Sequence, residues 1–189
     1  MGYALAQAAI EAGANVTLIS GPVALTHPDR VTCIAVESAI EMHTAVMQQV
    51  ANHQIFIGCA AVADYRPDQA QRQKIKKSSA TLQLNLIKNP DILADVAELA
   101  SPPFCVGFAA ESENLEKYAL QKFEQKKLHM IAANNITNPG IGFNSDYNAL
   151  HVFWRGGNKQ LPTASKTQIA RQLIALIAQQ YSLNTETKK

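Results

Sequence analysis

The sequence has too little of several things to fit many classes of protein. Its three cysteines, Cys33, Cys59 and Cys105, lie far apart in apolar surroundings and form no CxxC pair. That argues against a disulfide framework or a thiolate metal site and fits buried thiols in a reducing compartment. No apolar run approaches the ~20 residues of a membrane span. No basic segment followed by an apolar core opens the chain, so nothing reads as a secretion signal. Charge of neither sign prevails: 17 Lys and Arg against 15 Asp and Glu leave a net +2, with no footprint for nucleic acid or an acidic membrane. Nine glycines and eight prolines are too few for collagen or a low-complexity linker. His53, His129 and His151 show no mutual spacing that suggests a metal or a Ser/His/Asp triad. GxGxxG is absent, which argues against a nicotinamide-dependent Rossmann enzyme.

What is present points to a folded domain. The 189 residues are 47% hydrophobic and 17% charged, enough to build a core and inconsistent with disorder. The expectation is one domain over residues 1–181, a frayed polar tail over 182–189, and a soluble cytoplasmic location.

The pattern alternates strand and helix. Met1 to Ala12 reads as a helix whose small apolar face is Met1, Leu5, Ala8, Ala9 and Ala12, stopped by Gly13. Nothing caps it and no strand precedes it, so an upstream strand and loop are expected to be missing from this sequence. Asn15–Ser20 and Val31–Val36 read as strands, and Ala39–Ala51 as a helix with Ile40, Met47 and Val50 on its apolar face. Ile55–Ala63 and Phe104–Ala110 are continuous apolar runs, the mark of strands buried on both faces. Leu82–Ile87 alternates as a half-exposed strand, and Asn89-Pro90-Asp91 reads as a helix start with Asn89 as cap. Leu115–Leu128 is an amphipathic helix, and His129–Ala133 a strand. Ala149–Trp154 and Lys159–Leu161 flank the turn signal Arg155-Gly156-Gly157-Asn158, and Thr163–Tyr181 is a long amphipathic helix. The predicted class is α/β: a Rossmann-like, open, mostly parallel sheet with helices on both faces and an antiparallel hairpin near the C-terminus. Ligands in such sheets bind beyond the carboxyl ends of the strands.

Five segments could carry chemistry, and each also has a plain structural reading. Gly58-Cys59-Ala60-Ala61-Val62-Ala63-Asp64-Tyr65 lets a ligand lie against backbone, or lets a helix pack closely, with Asp64 as a turn residue. Lys74-Ile75-Lys76-Lys77 places Lys74 and Lys76 on one side of an extended segment, to grip a polyphosphate or simply to face water. Asn89-Pro90-Asp91-Ile92-Leu93 is a helix start that binds an anion or a base edge, or only a cap. Gly107-Phe108-Ala109-Ala110-Glu111 offers Phe108 to a flat ring or to the core, and Lys122 and Lys126 share a face of the next helix. Ala133-Asn134-Asn135 and Gly142-Phe143-Asn144-Ser145-Asp146-Tyr147-Asn148 supply amides for a phosphate or for turns.

Taken together, AAVADY, KIKK ten residues after the Asp, KNPDIL, GFAAE, a helix with two lysines, AN and GFxSDxN form a specific succession. It resembles the phosphopantothenoylcysteine synthetase family, in particular the C-terminal synthetase domains of bacterial bifunctional proteins of coenzyme A biosynthesis. The resemblance runs from Gly2 to about Tyr181. It implies a ligase that activates 4′-phosphopantothenate with CTP and Mg²⁺ to an acyl-cytidylate, then joins it to L-cysteine. It implies that Gly58, Cys59, Ala60, Asp64, Lys74, Pro90, Asp91, Ile92, Leu93, Phe108, Lys122 and Lys126 meet the nucleotide. Lys74 matches the lysine needed to form the acyl-cytidylate, Ala61 and Asp64 match the substrate arm, and Asp64 is the candidate metal contact. A homodimer that completes the substrate site is implied, with neither nucleic acid nor membrane as partner. Family members carry, before the position of Met1, a strand, a glycine-rich loop and a segment like SNxSSGK. This sequence has none of it, nor the decarboxylase domain, which is expected as a separate or fused partner. Activity of this chain alone is therefore expected to be impaired. The second reading, from another class, is a non-catalytic nucleotide-binding or dimerisation module.

Overall fold

Alternate residues of the run FCVGFAAE enter two different cores in the computed structural model, which describes residues 1–69, 73–75, 81–135 and 145–186. Phe104 and Val106 face one side of the sheet, Cys105 and Ala109 the other. The next strand repeats this, with Met130 and Ala132 on the first side and Ile131 and Ala133 on the second. An unbroken apolar run is what a strand covered on both faces requires.

The order is α1 (Gly2–Glu11), β1 (Thr17–Ser20), β2 (Thr32–Ala35), α2 (Ala39–Gln49), β3 (Ile55–Gly58), β4 (Tyr65–Pro67) and β5 (Leu86–Lys88). Then come α3 (Ile92–Ala97), β6 (Phe104–Glu111), α4 (Leu115–Gln125), β7 (Met130–Asn135), β8 (Tyr147–Trp154), β9 (Gly157–Ser165) and α5 (Lys166–Glu186). Among the described residues the main sheet is β3-β6-β7-β8-β9. Its first three strands are parallel, and β8 and β9 close it as an antiparallel hairpin. β1 and β2 form a separate parallel pair, and β4 and β5 an antiparallel ribbon. The α/β class, the mostly parallel sheet and the terminal hairpin are thus as expected.

Helices α1 and α5 cover one face: Leu5 and Ala8 pack with Ile169, Leu173 and Ile177 over β6, β7 and β8. Each large side chain so buried contributes about 1.5–3 kcal/mol of transfer free energy. A bidentate pair from Arg171 to Glu11, at 2.7 and 3.2 Å, fastens the rim of these two helices. The other face is covered by Val46 of α2, Ile92 and Val96 of α3, and Ala119 and Phe123 of α4.

Several boundaries differ from expectation. The run from Ile55 leaves the sheet at Gly58, and Ala60, Ala61 and Ala63 lie exposed beyond it. Alanine and glycine fit a pleated sheet poorly, so nothing local prolongs the strand. Ile40 is exposed, and α2 instead buries Ala45 and Val46, followed by Val50 in a 3₁₀ turn over Val50–Asn52. Only Leu86–Lys88 of the alternating segment pairs as a strand; Leu82 and Leu84 lie exposed before it. The hairpin turn is Arg155-Gly156, with Gly156 at φ +88 and Trp154 opposite Gly157, so β9 starts earlier than expected and absorbs Thr163–Ser165. Helix α5 begins at Lys166 and continues through Glu186, past the expected end at Tyr181. Met1, the N-cap of α1, makes no side-chain cap bond.

Candidate functional site

The carboxyl end of β3 lies beside the middle of β6, with Gly58 opposite Gly107 and β6 running on to Glu111. Leu93 of α3 lies across both glycines. A Cβ at Gly58 would stand 3.3 Å from Leu93 Cδ1, and one at Gly107 would stand 2.8 Å from both Leu93 Cδ2 and Leu128 Cδ1. The missing side chains let α3 approach the sheet and bring the Pro90–Leu93 segment over the end of β3 and the middle of β6. Ile92 is buried there, Pro90, Asp91 and Leu93 half-buried.

Asp91, not Asn89, caps α3, accepting the Ala94 N–H at 3.1 Å. The cap falls later than expected because Asn89 belongs to the ribbon: its backbone N–H donates to Asp64 O at 2.8 Å, extending the β4–β5 ladder by one rung. The Asn89 side chain is buried at 7% exposure; its amide donates to Ala63 O at 2.8 Å, and its Oδ1 accepts from Arg66 at 3.0 Å. These bonds join the exit of β3 to the start of α3.

Lys122 of α4 and Lys126, its C-cap, converge on the same end. Lys126 Nζ contacts both carboxylate oxygens of Asp91, at 2.8 and 3.0 Å. Lys122 Nζ donates to Glu111 Oε1 at 2.8 Å, at the tip of β6. Burial pushes the Asp91 carboxyl up, but the Lys126 and Ala94 hydrogen bonds, with the charges of Lys126 and Lys88, hold it below its ordinary range. The two cations are thus neutralised within the chain, by carboxylates that a polyphosphate could displace.

Other expected residues stand further off. Phe108 faces the α1/α5 side and packs half-buried against that core, while Lys122 and Lys126 lie on the α4 side. Cys59 packs on the Phe108 side, and burial pushes its thiol up to about 11, so it stays protonated at neutral pH. Cys105 is raised to about 11 by burial as well. Asp64 and Ala61 are exposed at the strand exit, and Asp64 enters the network through its carbonyl. Lys74 is exposed away from the strand tips, beside a cavity of about 540 Å³ lined also by Pro67, Asp68, Ile75, Leu82 and Leu84. Lys76, Lys77, Gly142, Phe143 and Asn144 lie outside the described residues. Of the amides, Asn134 and Asn148 are buried, and among the described residues Asn148 Oδ1 has no hydrogen-bond partner. No group of three or more His, Cys, Asp and Glu gathers among the described residues to hold a metal.

Sequence reasoning missed three contributors. Glu111 sits within the GFAAE motif but was given no role, and Arg66 was passed over. Asn89 was read as a helix cap. Nothing local in the sequence signals that its amide reaches back to Ala63.

The sequence matches, over residues 1–181, the family described as the DNA/pantothenate metabolism flavoprotein C-terminal domain. It is 52% identical over 183 residues to the coenzyme A biosynthesis bifunctional protein CoaBC of Vibrio cholerae, covering 95% of this chain and 46% of that protein. It is 49% identical over 185 residues to CoaBC of Escherichia coli K12, covering 96% of this chain and 46% of that protein. The chain therefore spans about half the length of the curated relatives it matches. A crystal structure of the C-terminal domain of a CoaBC superposes with TM-score 0.80 at 34% identity, covering 97% of this chain and 82% of the other. The DNA/pantothenate metabolism flavoprotein from Streptococcus pneumoniae superposes with TM-score 0.77 at 20% identity, covering 93% and 86%, a likeness of fold.

Proposed function

Since the chain belongs to the DNA/pantothenate metabolism flavoprotein C-terminal domain family, we propose that it is a phosphopantothenate–cysteine ligase domain acting in coenzyme A biosynthesis. The observation that carries this reading is the meeting of Lys122 with Glu111 at the end of β6 and of Lys126 with Asp91 in the Pro90–Leu93 segment that lies over the end of β3.

In the proposed reaction a carboxylate oxygen of 4′-phosphopantothenate attacks the α-phosphorus of CTP. The bond to the bridging oxygen breaks, and pyrophosphate leaves with its electrons. The amine of L-cysteine then attacks the acyl carbon, CMP leaves, and the amine's proton passes to solvent. Charge develops on phosphate and acyl oxygens in both steps, so the chain contributes chiefly by positioning and by placing cations. Lys122 and Lys126 exchange Glu111 and Asp91 for the triphosphate. Gly58, Cys59 and Ala60 offer backbone to the cytidine, Phe108 lines the far side of the strand tips, and Ala61 and Asp64 border the acid. Lys74 closes over the reacting phosphate from beside the ribbon. Asp64, exposed at the strand exit, would be the chain's contact to a Mg²⁺ carried by the triphosphate, which would supply neutralisation of phosphate charge.

A second copy of the chain is the proposed partner. Leu82 and Leu84, before β5, and Leu86 at its start present an apolar face, 65%, 59% and 56% exposed. Such a face is expected to be covered in the working assembly. Within the described residues β1 and β3 each pair with one neighbour only, and His53 Nε2 meets Thr17 Oγ1 at 3.1 Å near their starts.

The test is pyrophosphate release from CTP with phosphopantothenate and cysteine, for this chain and for an N-terminally extended one. Release that requires both CTP and phosphopantothenate supports a ligase. CTP binding without release by either chain supports a nucleotide-binding module instead.

A further inference from the structure

The two walls of the proposed nucleotide cleft come from segments 25 or so residues apart in sequence, and one buried side chain joins them. The antiparallel ribbon pairs Tyr65 with Lys88, so Asp64 falls opposite Asn89, and the Asn89 N–H to Asp64 O bond of 2.8 Å completes that rung. The next pair, Ala63 and Pro90, is a non-hydrogen-bonded one in an antiparallel ladder, so the ladder itself brings no donor to Ala63 O. The Asn89 side-chain amide supplies the missing donor, reaching Ala63 O at 2.8 Å. Arg66 fixes which way that amide points, because one nitrogen, Nη1, donates both to Asn89 Oδ1 at 3.0 Å and to Lys88 O at 2.9 Å. A guanidinium only donates, so Oδ1 must face it and the NH₂ must face Ala63.

We propose that Asn89, oriented by Arg66, is a positioning residue for nucleotide binding: it sets the separation between the β3 exit and the Asp91–Lys126 corner without touching the nucleotide itself. The inference rests on the nucleotide reading of the cleft. Its mechanism is local. Ala63 and Asp64 on one wall are joined to Pro90 and Asp91 on the other by the Asn89 side chain and its backbone N–H. Asp91 in turn carries Lys126. Loosening the Asn89 amide lets the strand exit and the lysine move independently, and the entropy of bringing them back together must then be met by the nucleotide.

Asn89→Asp is nearly isosteric and keeps an oxygen toward Arg66, but turns the donor facing Ala63 O into an acceptor. The experiment titrates CTP with Mg²⁺ into the full chain by calorimetry, for the native sequence, Asn89→Asp and Arg66→Gln, with circular dichroism as the check on folding. Positioning predicts full stoichiometry with CTP affinity weakened at least tenfold in Asn89→Asp and about threefold in Arg66→Gln. A residue needed only for folding would reduce the number of binding sites at unchanged affinity, and that outcome overturns the proposal. So does native affinity in Asn89→Asp, with the nucleotide reading intact. If Asn89→Asp does not fold, Arg66→Gln decides on the same criterion. Failure of the native chain to bind CTP refutes the nucleotide reading, and the positioning role falls with it.

Discussion

Replacing Gly107 with alanine sets a methyl carbon 2.8 Å from Leu93 Cδ2 and 2.8 Å from Leu128 Cδ1. Carbon atoms in packed interiors prefer about 3.5–4.0 Å. Each contact is therefore too short by roughly an ångström, and both leucine ends must shift. Overpacking of this kind costs about 1–3 kcal/mol. Removing a glycine from a strand interior returns about 0.5–1 kcal/mol. The net expectation is a loss of about 1–2 kcal/mol. For a chain of this size that lowers Tm by roughly 2–8 °C. At Gly58 the nearest contacts are 3.3 Å to Leu93 Cδ1 and 3.6 Å to Phe56 Cε1, so Gly58→Ala should cost distinctly less. Thermal and urea unfolding of the two variants measure this. Leu93→Ala in the Gly107→Ala background provides the control, because shortening Leu93 removes one of the two clashes. The double variant should be more stable than the sum of the single losses by about 0.5–1 kcal/mol. Strict additivity, or a Gly107→Ala variant as stable as the native chain, would refute the idea that glycine is there to admit α3.

Lys74→Gln should abolish pyrophosphate release while leaving CTP affinity within a few-fold of native; unchanged release would remove Lys74 from the chemistry. Asp91→Asn keeps a capping oxygen but loses the charge that pairs with Lys126. The native Asp91 carboxyl is held below its unfolded value, so its contribution is complete above that value and fades as pH falls through the folded one. With side chains 28% and 40% exposed, the pair should be worth under about 1 kcal/mol by urea unfolding at pH 7. The difference between native and Asp91→Asn should shrink as pH falls below the ordinary carboxylate range, and a difference that does not change with pH would contradict the assigned cause. Leu84→Glu with Leu86→Glu should convert the proposed dimer to a species of 20.5 kDa by sedimentation; a native chain that is itself monomeric would refute that use of the leucine face.

The parts of the fold legible in the sequence were those where one local pattern dominates. FCVGFAAE is apolar at every position facing a core, and it forms a strand covered on both sides. Arg155-Gly156 supplies a positive φ where the hairpin needs one. The misjudged parts depend on partners distant in sequence. Ile55–Ala63 is apolar throughout, but its strand lasts only while β6 pairs with it, to Gly58. Asn89 has the chemistry of a cap, yet its place opposite Asp64 makes it the last rung of a ribbon. The motif residues met a similar fate. The approach of Lys126 to Asp91 follows from α4 and α3 sharing one face of the sheet, a relation no spacing in the chain records. Phe108 and Lys122 are close in sequence, but the strand's alternation sends Phe108 to the opposite side.

The central claim is that the tips of β3 and β6, with Lys122 and Lys126, hold a cytidine triphosphate. A crystal structure of the chain soaked with CTP and Mg²⁺ tests it most directly. The account predicts phosphates within hydrogen-bonding distance of both lysine Nζ atoms, with the Lys122–Glu111 and Lys126–Asp91 contacts of the free chain opened. Nucleotide bound elsewhere, with both ion pairs still closed, would contradict it.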